Sequence, residues 1–99
     1  MIVMDAAAPT VLHLSGDIDI FTTAALRRRV LGALDDGPGA VVLDMSGVTF
    51  CGAGGLAVLL HAQRRATALG VTVTMTGISP RLARLLEIAG LNDRLPPVA

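Results

Sequence analysis

Hydrophobic and polar positions along this chain alternate in short runs with two different periods. Thr10–Ser15 alternates in steps of two and ends at Gly16, so it reads as a strand closed by Gly16-Asp17-Ile18-Asp19. Val71–Thr76 alternates between apolar residues and threonine, which predicts a strand with one buried face. Val41-Val42-Leu43 is continuously apolar and suits a central parallel strand covered on both faces. Ile2–Met4 reads as a further short strand. Val48–Cys51 reads as a short extended piece after a loop through Ser46-Gly47. Between these runs the period changes to that of a helix. With Thr22 or Thr23 as cap, Leu26, Val30, Ala33 and Leu34 fall on one stripe of a helix reaching about Asp35. Arg27, Arg28 and Arg29 begin its solvated side, and Gly37-Pro38-Gly39 stops it.

A second helix is predicted from about Gly54 to Leu69. Its stripe is Leu56, Leu59, Leu60, Gln63 and Ala66, with Arg64 and Arg65 outside and Gly70 as its terminating residue. Ser79-Pro80 is a cap followed by proline at the first helical position. It opens a third helix carrying Leu82, Leu85, Leu86 and Ala89, and Gly90 ends it. Leu91–Ala99 is a tail with one helical turn. The order β-β-α-β-α-β-α predicts an α/β fold with a small, mostly parallel or mixed sheet of four to five strands and three to four helices. The length of 99 residues predicts a single domain spanning 1–99.

Composition narrows the function. The apolar share is 53%, and Phe21 and Phe50 are the only aromatic residues, so the core is aliphatic. Net charge is zero, and with no lysine the eight arginines carry all the strong positive charge. There is neither the basic field nor the aromatic platform of a nucleic-acid binder. The Arg and Ala bias fits a GC-rich bacterial genome. The N-terminus has no basic n-region, Asp5 interrupts its apolar run, and no stretch reaches the length of a membrane span. The expected setting is the cytoplasm, with no direct membrane insertion.

Candidate chemistry is sparse. Cys51 precedes a helix start, a position that lowers a thiol pKa, but no histidine lies near it in sequence. The expectation is a small buried hydrophobe. His13, Cys51 and His61 stand on three elements without ligand spacing, so no metal is expected. Asp44 ends the central strand, where turn or capping chemistry explains it; Asp17 and Asp19 remain surface contacts. Cys51-Gly52-Ala53-Gly54-Gly55 sits where a helix begins, yet it has neither the GKS/T ending of a phosphate loop nor the GxGxxG order of a dinucleotide site. No hydroxyl or carboxylate occurs from Gly52 to Leu60. No cofactor and no catalytic residue is expected.

Four segments in order resemble the STAS family, the anti-sigma factor antagonist domain. Gly16-Asp17-Ile18-Asp19 looks like its G-[DE]-[IL]-D turn, and Thr22–Val30 like its first helix. Val41 to Phe50 is similar to its strand and D-[LM]-S-x-V-x-F loop. Ser79-Pro80-Arg81, Leu86 and Gly90-Leu91 resemble its terminal helix. In that family the Phe matched by Phe50 is followed by an apolar residue and D-S-[ST]-G-L, whose second hydroxyl is phosphorylated by a kinase-type anti-sigma factor. Here Cys51 takes the apolar place, Gly52 replaces Asp, Ala53 the first Ser, and Gly54 the phosphoacceptor; Gly55 and Leu56 match. The resemblance implies a regulatory protein-interaction domain, not an enzyme. Its partner would be a kinase-type anti-sigma factor or another regulatory protein. The docking surface would comprise Asp17, Asp19, Phe21, Thr22, Thr23, Gly52, Ala53, Gly54, Gly55 and Leu56. Phosphorylation at Gly54 is impossible. The alternative is a cytoplasmic STAS subunit of a lipid or anion transport system, binding a partner ATPase.

Overall fold

The computed structural model describes residues 9–36, 39–91 and 93–98. Three strands and three helices alternate: β1 (Thr10–Ile18), α1 (Thr23–Asp35), β2 (Ala40–Cys51), α2 (Ala53–Leu69), β3 (Thr72–Thr76) and α3 (Pro80–Ala89). The strands form one sheet in the order β1-β2-β3, parallel throughout. The expected count of four to five strands is therefore not reached among the described residues, and Ile2–Met4 lies outside them. One cause is that Val48–Cys51 is not a separate piece. It continues β2, which stays paired to β1 through two register shifts, one between His13 and Ser15 and one between Gly16 and Asp17. Each shift leaves an extra residue on β2, the signature of a bulge. A side chain at Gly47 would stand 3.0 Å from the Leu14 carbonyl oxygen. That glycine, which reads as a loop signal in sequence, sits where the β1 backbone leaves little room for a side chain.

Val41, Leu43 and Met45 of β2 turn to the same face as Leu14 of β1 and Val73 and Met75 of β3, and all six are buried. The buried residues of all three helices join this face in a single aliphatic cluster. The opposite face carries His13, Asp44 and Thr76 in register, and Val42 on that face is only half-buried. β2 is thus central as expected, but among the described residues it is fully covered on one face only. In α1 the stripe is the expected one: Leu26, Val30 and Leu34 are buried. In α2 the buried face is Gly55, Val58, Leu59, Ala62 and Ala66. It is rotated from the expected stripe, so Leu56, Leu60 and Gln63 become half-buried flanks. Small residues decide this, because Gly55, Ala62 and Ala66 let the helix approach the sheet closely.

The helix ends follow backbone chemistry. Gly70 and Gly90 close α2 and α3 with φ of 71° and 69°, a conformation costly for any residue with a Cβ. The Ser79 hydroxyl accepts the Leu82 N–H at 3.1 Å, with Pro80 at the first helical position. After α3, the Arg94 and Leu95 N–H groups both donate to the Leu91 carbonyl, at 2.9 and 3.1 Å, and no fourth helix occurs among the described residues. The tail then returns to the sheet edge, where the Met75 N–H donates to the Pro97 carbonyl at 2.8 Å.

Leu59 is fully buried under the sheet, whereas Leu60 lies on the flank. Leu59→Ala is expected to cost about 2–5 kcal/mol in denaturant unfolding, the range for a leucine removed from a packed core. Leu60→Ala is expected to cost less.

Candidate functional site

The end of β1 and the start of α2 meet at one corner of the molecule. The Gly52 N–H donates to the Ile18 carbonyl at 2.9 Å. A Cβ built on Gly55 would lie 2.5 Å from Ile18 Cγ2 and 2.8 Å from Cys51 Sγ. No side chain fits there, so Gly55 is buried and holds the helix start against β1. The Gly54 position, one residue earlier, faces the other way. Its Cβ would meet Thr23 Oγ1 at 3.1 Å and Thr23 Cγ2 at 3.6 Å. The β1–α1 loop and the α2 start, more than thirty residues apart in sequence, are therefore neighbours.

The loop is braced by its own polar groups. The Asp19 carboxylate accepts the N–H groups of Phe21 at 2.9 Å and Thr22 at 3.1 Å. Asp19, not Thr22 or Thr23, thus satisfies the amides that precede α1; Thr22, in the cap position, makes no side-chain cap bond. The Thr22 hydroxyl accepts the Asp19 N–H and donates to the Asp17 carbonyl, each at 2.9 Å. The Thr23 hydroxyl donates to the Asp19 carbonyl, and the Thr49 hydroxyl donates to the Asp17 carboxylate. Both loop carboxylates are engaged in holding the corner.

Of the ten residues expected at a docking surface, the structure leaves Asp17, Phe21, Thr22, Ala53 and Gly54 exposed. Asp19, Thr23, Gly52 and Leu56 are half-buried, and Gly55 is buried. Two residues outside that set belong to the same corner: Ile20 is 83% exposed beside Phe21 at 86%, and Phe50 is 54% exposed next to Gly52. The signal for Ile20 was present in the sequence. It is an apolar pair, Ile20-Phe21, set between Asp19 and Thr22 and belonging to neither a strand nor a helix period.

α2 begins without a side-chain cap. Its first intrahelical bond is Leu56 N–H to Gly52 carbonyl, so the amides of Ala53, Gly54 and Gly55 have no partner within the helix. Glycine is a tolerable cap residue, a few tenths of a kcal/mol worse than serine. The expected phosphoacceptor position thus offers backbone N–H groups and no nucleophile. The nearest hydroxyl, on Thr23, is half-buried and committed to the Asp19 carbonyl.

The remaining candidates resolve as structural groups. Cys51 is 6% exposed, and burial pushes its thiol pKa up, against the lowering that a helix start alone would give. Among the described residues no cluster of His, Cys, Asp or Glu has the makings of a metal site. Asp44 accepts the Ser46 N–H at 3.0 Å and pairs across the sheet with His13 Nδ1 at 2.8 Å. These contacts, the Ser46 amide foremost, hold its carboxyl at about 2, below the ordinary 3.8. None of the described helices is long and apolar enough to cross a membrane.

This is a small α/β domain with an exposed loop-and-helix corner. A family model described as Mlab, STAS domain matches residues 3–97, and the chain belongs to the STAS domain family. The anti-sigma-F factor antagonist RsfB of Mycobacterium tuberculosis is 40% identical over 63 residues, covering 64% of this chain and 52% of that protein. RsfA of the same organism, also an anti-sigma-F factor antagonist, is 28% identical over 88 residues, 87% of this chain and 69% of that one. The crystal structure of an anti-sigma factor antagonist from Mycobacterium paratuberculosis matches with a TM-score of 0.80 at 28% identity, covering 98% of this chain and 82% of that one. The chain spans about half the length of RsfB.

Two measurements test the corner. Gly55→Ala is expected to destabilise by about 1–3 kcal/mol through overpacking against Ile18 and Cys51. Gly54→Ala, which meets only the Thr23 side chain, should stay within about 1 kcal/mol of wild type, because alanine is also the better helix former. Asp44 tests the sheet's outer face. Its folded pKa lies below its unfolded value, so its stabilisation is fully present above the ordinary value of 3.8 and is lost as pH falls towards about 2. Acid unfolding of Asp44→Asn should therefore show a shallower loss across that window than wild type.

Proposed function

We propose that this chain is a cytoplasmic anti-sigma factor antagonist domain that cannot be switched off by phosphorylation at its helix start. Its docking surface is the corner formed by Asp17–Thr23 and Gly52–Leu56, with Ile20 and Phe50 extending it. The reading rests on the relatives RsfB and RsfA, each an anti-sigma-F factor antagonist. The observation that carries the regulatory part is Gly54, exposed at the start of α2 with no hydroxyl of its own, while the neighbouring Thr23 hydroxyl is committed to the Asp19 carbonyl. Phosphoryl transfer needs a nucleophilic oxygen positioned for in-line attack. A phosphate would also add about −1.5 to −2 charge on the docking surface and repel or desolvate the partner. Neither event is available at Gly54, so the protein stays in its binding-competent state. The partner is a kinase-type anti-sigma factor, and its sigma factor is released for as long as this protein is present.

Incubation with a cognate anti-sigma kinase and ATP should yield no phosphoprotein by intact-mass spectrometry while the complex persists. Gly54→Glu should weaken the complex by at least about tenfold, because it buries a charge without a partner. Gly54→Ser with Gly52→Asp returns a nucleophile and a capping carboxylate and should accept phosphate once the Thr23 side chain turns aside. Stoichiometric phosphorylation of the wild type with partner release contradicts the locked state. Undiminished binding by Gly54→Glu places the docking surface elsewhere. Capture of a transporter ATPase in place of an anti-sigma factor overturns the assignment itself.

A further inference from the structure

A cavity of about 430 Å³ adjoins the α2 corner at Phe50, in the angle between the end of β2 and the first turns of α3. That volume falls within the usual range for small-molecule sites. Its walls are mostly apolar: Val48, Phe50, Leu82 and Leu85. Phe50 and Leu85 keep 54% and 44% of their surface exposed, so part of this apolar lining is open to a ligand. At the rim the Thr49 hydroxyl donates to Asp17, while Ser79 accepts the Leu82 N–H and keeps its own proton. The one charged side chain in the lining is Arg81. The two ion pairs among the described residues, His13–Asp44 and Arg65–Asp35, leave it out, and no carboxylate lines the cavity.

We propose that this cavity binds a small organic anion with a flat apolar body. The body lies against Phe50, Leu82 and Leu85, and its carboxylate or phosphate is held by Arg81. Each part of the site excludes a class of ligand. A cation meets Arg81 with no compensating acid. An inorganic anion leaves the apolar walls wet and gains only a single exposed ion pair, which is weak. A neutral apolar molecule leaves the guanidinium without a counter-charge. Arginine suits the head group because its planar fork matches carboxylate and phosphate oxygens. A small ligand is favoured over a docked protein because the cavity is local and concave, whereas a stable protein interface needs roughly 1,000 Å² or more of buried surface. The proposal stands independently of the docking function, although Phe50 borders both the cavity and Gly52.

The test is an NMR titration of the ¹⁵N-labelled full chain with three probes: 2-naphthoate, 2-naphthylmethanol and acetate. Naphthoate should give saturable shifts confined to residues 48–51 and 79–85. The neutral alcohol should bind about two- to fivefold more weakly, the scale of an exposed ion pair, and acetate should not saturate. Arg81→Gln should lose the same factor for naphthoate while its spectrum remains that of the folded protein. Arg84→Gln, which does not line the cavity, should bind as wild type does. Equal affinity for naphthoate and the alcohol overturns the proposal. So does undiminished binding by Arg81→Gln, or shifts centred on Ile20 and Phe21.

Discussion

The contact between the first turn of α2 and the end of β1 is the constraint on which the rest of this structure depends. Gly55 has no room for a Cβ because Ile18 and Cys51 fill the space, and the Gly52 amide is bonded to the Ile18 carbonyl. Together these fix where α2 starts and how closely it lies on the sheet. The same contact brings Gly54 up against Thr23 and so joins two loops into one exposed corner. Packing density carries the effect: a methyl group at Gly55 has nowhere to go in an interior this close-packed. The corner is therefore rigid by sterics, while its outer surface, with Ile20, Phe21, Ala53 and Gly54, bears little structural duty.

That division of labour explains how a helix start can lose its polar side chains and persist. A capping side chain contributes on the order of 1 kcal/mol, and glycine as cap gives up only a few tenths of that. The aliphatic cluster under α2 supplies far more. The Gly52, Ala53 and Gly54 positions are thus free to change without unfolding the domain, whereas Gly55 is not. A helix start without a hydroxyl at Gly54 leaves the scaffold intact. Asp17 and Asp19, which read in sequence as surface contacts, turn out to brace the loop through the Thr49 hydroxyl and the Phe21 and Thr22 amides.

Much of the fold was legible in the sequence because its signals are local. Ser79-Pro80, Gly70, Gly90 and the α1 stripe through Leu26, Val30 and Leu34 all act within a few residues of where they are written. What was not legible depends on contacts across the chain. β2 runs unbroken past Ser46-Gly47 only because bulges keep it in register with β1, and no local pattern announces a bulge. The buried face of α2 is set by which small residues meet the sheet, so Val58 and Ala62 displaced Leu56 and Leu60. Asp19 as the brace of the turn before α1 was hidden because the threonines at 22 and 23 occupy the usual capping place. The nearness of Thr23 to Gly54 belongs wholly to tertiary structure. The candidate corner was partly visible through the STAS-like motifs, while Ile20 and Phe50 joined it only once the loops were placed.

The most direct test of the account is hydrogen–deuterium exchange on this protein, alone and in complex with an anti-sigma factor. If the corner is the docking surface, binding slows exchange in residues 19–23 and 52–56 together, including the unpartnered amides of Ala53 and Gly54. Protection that appears only on α3 or on the outer face of the sheet, with that corner unchanged, contradicts it.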